Sequence, residues 1–174
     1  MVEASERPSG TIGYLQQLEE KDWILKAEAL HYLSKNNVKE SSESIFKIAN
    51  NNTENPWIRS KALIAYCKIQ NDSNIPPILT AFSSSEDPKL RAGAAEALSF
   101  ITGNNSDELS LKLTKDDNEM VQFHALASYS KLKKQEAWPL VQTMIDSPSQ
   151  ETIPIAAKAL IMVGNNEALK KLQE

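Results

Sequence analysis

Alanine returns to the same place five times along the chain, and that column constrains the fold more than any other feature of the sequence. With Leu25, Ile58, Leu90, Val121 and Ile155 set in register, the residue four places on is Ala29, Ala62, Ala94, Ala125 and Ala159. The fifth place on holds Leu30, Leu63, Ala95, Leu126 and Leu160, and the eighth holds Leu33, Tyr66, Leu98, Tyr129 and Val163. These offsets share one face of an α-helix. The register returns every 31 to 34 residues, the spacing of helical repeat arrays. An alanine at the centre of that face lets two helices approach where a larger side chain would hold them apart.

Residues 87–103 state the repeat most fully. Asp87 is placed to cap a helix and Pro88 to occupy its first turn, where a missing N–H costs nothing. Leu90, Ala94, Ala97, Leu98 and Ile101 then form the apolar face, and Gly103 is expected to end the helix as a left-handed residue. Between the long helices lie shorter helical segments at 11–21, 41–50, 75–83, 107–115, 136–145 and 166–173. Clusters rich in Asn, Asp, Ser, Gly and Pro separate them, as turns require. No segment alternates apolar and polar residues long enough for a sheet, so the chain is expected to be all-α.

The run of Asp or Asn, Pro, any residue, an aliphatic, Arg and then an alanine-rich helix resembles the HEAT repeat over residues 11–174. The nearest likeness is to the short bacterial type of the phycobilisome bilin lyases. The resemblance implies a right-handed α-solenoid of about five antiparallel helix pairs plus a final helix, with the second helices lining the concave side. It also implies a hydrogen-bonded ladder between repeats, for which Asp87 with Arg91 matches fully, Asn55 with Arg59 nearly and Asp22 with Lys26 loosely. Arg59 and Arg91 are accordingly expected to reach acidic or amide groups at helix starts in neighbouring repeats. The last two copies depart, with Asn118 and Gln122, then Thr152 and Ala156, and are left to apolar packing.

Composition narrows the function classes. A net charge of −4 argues against nucleic acid as the default partner, because phosphate binding needs a concentrated basic face. Aromatic content of 6% suits a thin core filled by Ala, Leu and Ile. No apolar run of about 18 residues is present, so no membrane span is expected. Residues 1–10 lack the apolar centre of a signal peptide and are expected to be a disordered leader to a repeat domain at 11–174, soluble and cytoplasmic by default. The final segment, a first helix without its second, reads either as the end of a cut solenoid within a longer protein or as a cap that shields the last apolar face.

Candidate chemistry is sparse. Cys67 is the single cysteine, nine residues past register on the side away from the core, and reads as a small packing residue rather than a nucleophile. His31 and His124 occupy different repeat positions without a Cys or second His at ligand spacing, so no metal site is expected. The glycines at 10, 13, 93, 103 and 164 form no phosphate loop, and no cofactor is expected. Asn51, Asn71 and Asn104 begin Asn-X-Ser/Thr triplets that Asn-rich loops generate by chance. The outward columns one before, two past and six past register are mostly small or apolar where a merely solvated face should be rich in Lys and Glu. From them Trp57, Ile64, Lys89, Glu96, Met120 and Phe123 are chosen as partner-binding candidates. The expectation is a non-catalytic scaffold that binds a protein or peptide on its concave face. The alternative is a bilin lyase-type or tetrapyrrole-handling subunit, for which no acid–base pair is evident in the sequence.

Overall fold

In the computed structural model each second helix of the first four repeats starts on a side-chain cap. The carboxylate of Asp22 accepts the N–H of Ile24 at 2.7 Å, and that of Asp87 the N–H of Lys89 at 2.8 Å. The side-chain carbonyls of Asn55 and Asn118 accept from Trp57 at 2.8 Å and Val121 at 3.3 Å. Such caps satisfy amide hydrogens that a helix start leaves without partners. Residues 10–71, 74, 76–101, 103, 106–144, 153–164 and 166–171 are described; the expected leader, apart from Gly10, lies outside them.

The helices are α1 (Gly10–Gln17), α2 (Trp23–Lys35), α3 (Ser42–Asn50), α4 (Pro56–Gln70), α5 (Pro77–Ser83), α6 (Pro88–Ala97), α7 (Ser106–Leu113), α8 (Glu119–Lys133), α9 (Trp138–Met144), α10 (Ile153–Val163) and α11 (Asn166–Lys171). No strand occurs among the described residues. Even-numbered helices stack in one layer, α2 on α4 on α6 on α8 on α10, and odd-numbered helices form the second layer against their partners. This is the expected all-α solenoid of five pairs and a last helix. All five register alanines are 0% exposed, at the contacts they were expected to permit. The core falls into two clusters that meet inside α8: Val121 and Ala125 belong to the first, Phe123 and Leu126 to the second.

One helix ends differently from expectation. α6 stops at Ala97, residues 98–100 tighten into a 3₁₀ turn and Ile101 is extended, with φ −112° and ψ 122°. The tightening buries both Leu98 and Ile101, and Gly103 lies beyond the turn without capping the helix. Left-handed residues stand instead at Asn37 (φ 52°) after α2, and at Asn71 (φ 46°) after α4 and Gly164 (φ 66°) after α10, the last two returning their N–H groups to the carbonyls of Cys67 and Leu160. Asn51 accepts both the amide and the hydroxyl of Thr53, so the Asn51 and Asn71 triplets have local structural roles; Asn104 lies outside the described residues.

Second helices approach closely at Gly93. A Cβ there would sit 2.5 Å from Cβ and 3.0 Å from Cα of Ser60, so α4 and α6 touch nearly backbone to backbone. The Ser60 hydroxyl donates across this contact to the carbonyl of Lys89 at 2.7 Å, and Ser128 donates from α8 to Ala95 of α6 at 2.6 Å. Gly93→Ala should therefore separate the helices and cost about 1–3 kcal/mol in chemical denaturation. Adding Ser60→Gly should recover part of that loss, and an unchanged midpoint for the single variant would contradict the contact.

The ladder is present but runs through loop acids rather than caps. Arg91 donates from Nε and Nη2 to the two oxygens of Asp116, both at 2.8 Å, and from Nη2 to Asp117 at 2.7 Å. Its Nη1 donates to the carbonyls of Ser85 and Glu86 at 3.0 Å. Lys26 makes the equivalent link to Glu54, and Gln122 donates to the backbone carbonyl of Asp116. Arg59 departs from expectation. Its Nε donates to the carbonyl of Ala49 at 3.1 Å, within its own repeat, and its guanidinium lies 5.1 Å from the ring centroid of Phe82. The aromatic ring of the following repeat stands where an acid was expected, so the link there is cation–π.

Burial pushes the Asp116 carboxyl up, but the Arg91 guanidinium and the Asn118 amide hydrogen outweigh it and hold it below the ordinary range. A depressed carboxyl stabilises the fold above its unfolded-state pKa, and that contribution is lost as pH falls through the folded one. Arg91→Ala should cost about 2 kcal/mol at neutral pH. The gap to the wild type should close as the pH is taken down through the carboxylate range, which urea melts at a series of pH values would measure.

Candidate functional site

Of the three columns expected on the face that the second helices turn away from the core, one is displaced by a residue. The column two past register is buried in the middle repeats, with Ser60 at 4%, Ala92 at 9% and Phe123 at 3% exposure, because it faces the neighbouring second helix. One residue is about 100° of helix, so the open stripe runs one before, three past, six past and ten past register. On α4 that stripe is Trp57, Lys61, Ile64 and Lys68.

Two hollows of about 420 Å³ adjoin along it. Trp57, Ile64, Lys89, Glu96 and Met120 all line the first, which spans α4, α6 and α8. The second runs toward α2 past Leu30, His31 and Lys68, and the two share Trp57, Lys61, Ile64 and Glu96. They form one groove across four second helices. Phe123, the sixth candidate, is not in it. Its ring belongs to the C-terminal core cluster because its column is the one that packs helix to helix.

At the α2 end the groove meets an aromatic pair, one member of which lies outside the repeat columns. Trp23, 51% exposed, stands edge-on to Trp57 with ring centroids 5.5 Å apart at 90°, beside Ile24, itself 58% exposed. Trp23 escapes the column pattern because it lies two before register, where no other copy carries an aromatic. Its adjacency to Ile24 at a helix start was the available signal.

Three titratable side chains meet on the groove wall. Glu96 Oε2 lies 3.6 Å from Nδ1 of His124 and 4.0 Å from Nζ of Lys61, and that Nζ lies 5.7 Å from the centroid of the Trp57 ring. Burial pushes the pKa of His124 down, Glu96 pulls it up, and Lys61 and Lys158 push it down again; the net shift is downward. His124 is therefore neutral at neutral pH, beside a carboxylate. The sequence hides this acid–base pair because its members stand on different helices and His124 falls in the rotated column.

Lys131 Nζ donates to the carbonyl of Ser99 at 2.6 Å and lies 4.7 Å from the centroid of the Phe100 ring, which also lines the groove. Burial first, then Lys158 and Lys68, push its pKa down, so one lysine from α4 and one from α10 are each within charge range of it.

Cys67 lies in the core rather than on the outward face, 3% exposed, and burial alone pushes its thiol up to about 12. A thiol so placed is not a nucleophile at physiological pH. Among the described residues no three His, Cys, Asp or Glu side chains converge as a metal site, and no helix is long and apolar enough to cross a membrane. An aromatic disulfide reagent at pH 8 should leave Cys67 unmodified in the native protein and label it fully in denaturant. Fast native labelling would place the thiol at the surface.

The sequence pattern described as HEAT repeats matches residues 13–99. Among solved structures, the chain is similar to one in the complex of CpcE and CpcF of phycocyanin lyase from Nostoc sp. PCC7120. The TM-score is 0.58 and the identity 20%, over 99% of this chain and 73% of that one. A designed armadillo repeat protein is similar at a TM-score of 0.48 and 21% identity, over 97% of this chain and 87% of that one. No curated protein matches the sequence.

Proposed function

The chain belongs to the HEAT-repeat family, and we propose that it is a non-catalytic scaffold that binds a protein or peptide along the groove of its second helices. The observation that carries this reading is the exposed apolar ground at the groove's head: Trp23, Ile24 and Trp57, continued by Ile64 and Met120 along its floor. Exposed aromatics framed by polar residues mark contact sites, and Trp is prominent among residues that dominate binding energy. The similar chain from Nostoc occurs in complex with a protein partner, which supports the same use of this fold.

A second reading has one observation in its favour. Glu96 and His124 form a carboxylate–imidazole pair in a hollow, as a subunit handling a tetrapyrrole would need for proton transfer. Titration with a bilin separates the readings: the scaffold reading expects no change in visible absorbance.

The direct experiment selects peptides from a displayed random library against the intact protein. Trp57→Ala should abolish binding of the selected peptides while leaving the melting temperature within a few degrees of the wild type. Phe123→Ala should instead destabilise the fold by about 3–5 kcal/mol, since its ring fills core. Undiminished binding to Trp57→Ala would remove the groove from consideration.

A further inference from the structure

We infer that the groove's occupant is an acidic segment of polypeptide, extended, with Asp or Glu alternating with apolar residues. This rests on the groove being a peptide site and adds the chemistry of what it takes. Lys61 and Lys68 project from α4, Lys131 from α8 and Lys158 from α10, while Glu96 is the acid on the groove wall. Among the described residues no carboxylate lies within ion-pair distance of Lys68, Lys131 or Lys158. Lys68 lines the groove and Lys131 lies over the Phe100 ring that lines it, with Lys68 and Lys158 each within charge range of Lys131 and Lys158 within charge range of His124.

A chain with 23 acidic and 19 basic residues has enough carboxylates to neutralise such a cluster, and some of its other cations use them. Lys26, Lys47, Arg91 and Lys133 each have an acidic partner. Lys61, Lys68 and Lys89 line the groove beside its apolar floor, and Lys131 lies against the Phe100 ring that also lines it. That juxtaposition suits a strand-like ligand, whose successive side chains point to opposite sides. One set can rest on Trp57, Ile64 and Met120 while the other reaches the lysines. Second helices stack at roughly 10 Å, so about six or seven extended residues span from α4 to α8. Nucleic acid is the poorer fit. Its affinity comes from many phosphate contacts, whereas here a few cations share the wall with Glu96 on a chain of net charge −4.

The test uses the peptides selected above, fluorescein-labelled, together with counterparts in which every Asp and Glu becomes Asn or Gln, and a 12-nucleotide single-stranded DNA as competitor. The selected set should be rich in Asp and Glu, and the neutralised counterparts should bind about tenfold weaker or less by anisotropy. Lys68→Glu combined with Lys158→Glu should abolish binding with an unchanged circular dichroism spectrum; Lys68→Gln with Lys158→Gln serves if that variant does not fold. Equal binding of acidic and neutralised peptides, still lost in Trp57→Ala, would overturn the charge inference and leave the groove in place. Displacement of the peptides by the DNA at a lower concentration than by unlabelled peptide would also overturn it. Failure to select any binder, or binding indifferent to both Trp57 and the lysines, would bring down inference and groove together.

Discussion

The close approach of neighbouring second helices is the constraint from which the rest of the structure follows. Where Gly93 meets Ser60, and where each register alanine is fully buried, no side chain keeps the helix axes apart. Helices that close must turn a narrow face to one another, and this decides which residues remain open to solvent. Had Ser60 or Ala92 been large, the stack would have spread and Lys61 or Glu96 would have faced the next helix instead of the groove. The serine hydroxyls at these contacts add polar links across surfaces that are otherwise apolar, and each has a backbone carbonyl to meet it.

A second set of interactions ties the repeats through the loops at the starts of the same helices. Arg91 spreads its donors over Asp116, Asp117 and two backbone carbonyls, so one planar cation binds the loop before its own helix to the loop before the next. Lysine at the equivalent place in α2 reaches a single carboxylate, and Arg59 settles on a ring. The same structural task is therefore performed three ways in three successive repeats. This is possible because stacking needs only that each loop be held, not how.

Much of the fold was legible because helix pairing leaves a periodic trace. Caps at Asp22, Asn55, Asp87 and Asn118 and the alanine column each follow from local geometry that recurs per repeat. The end of α6 was not legible: a 3₁₀ turn that buries Ile101 depends on what packs around it, which no local pattern records. For the candidate site, Trp57, Ile64, Lys89, Glu96 and Met120 come together as their columns suggest, while Phe123 does not. The difference is a single residue of rotation. Sequence periodicity finds the apolar face of a helix well, but it fixes the opposite face only to within about a residue either way. The true stripe brings in Lys61, His124 and Lys158, and with them the positive character that the composition as a whole conceals.

The division of the core inside α8 has a consequence for how the protein would behave when loaded. Trp57 and Lys68 stand on a helix anchored in the N-terminal cluster, Lys158 on one anchored in the C-terminal cluster, and α8 contributes to both. In a linear array each cluster can open largely on its own, so the free chain loses structure by halves. A ligand lying the length of the groove would grip both at once and make melting of one half conditional on the other. Occupancy would then register as cooperativity: two staggered transitions merging into one, with slow amide exchange extending through α10.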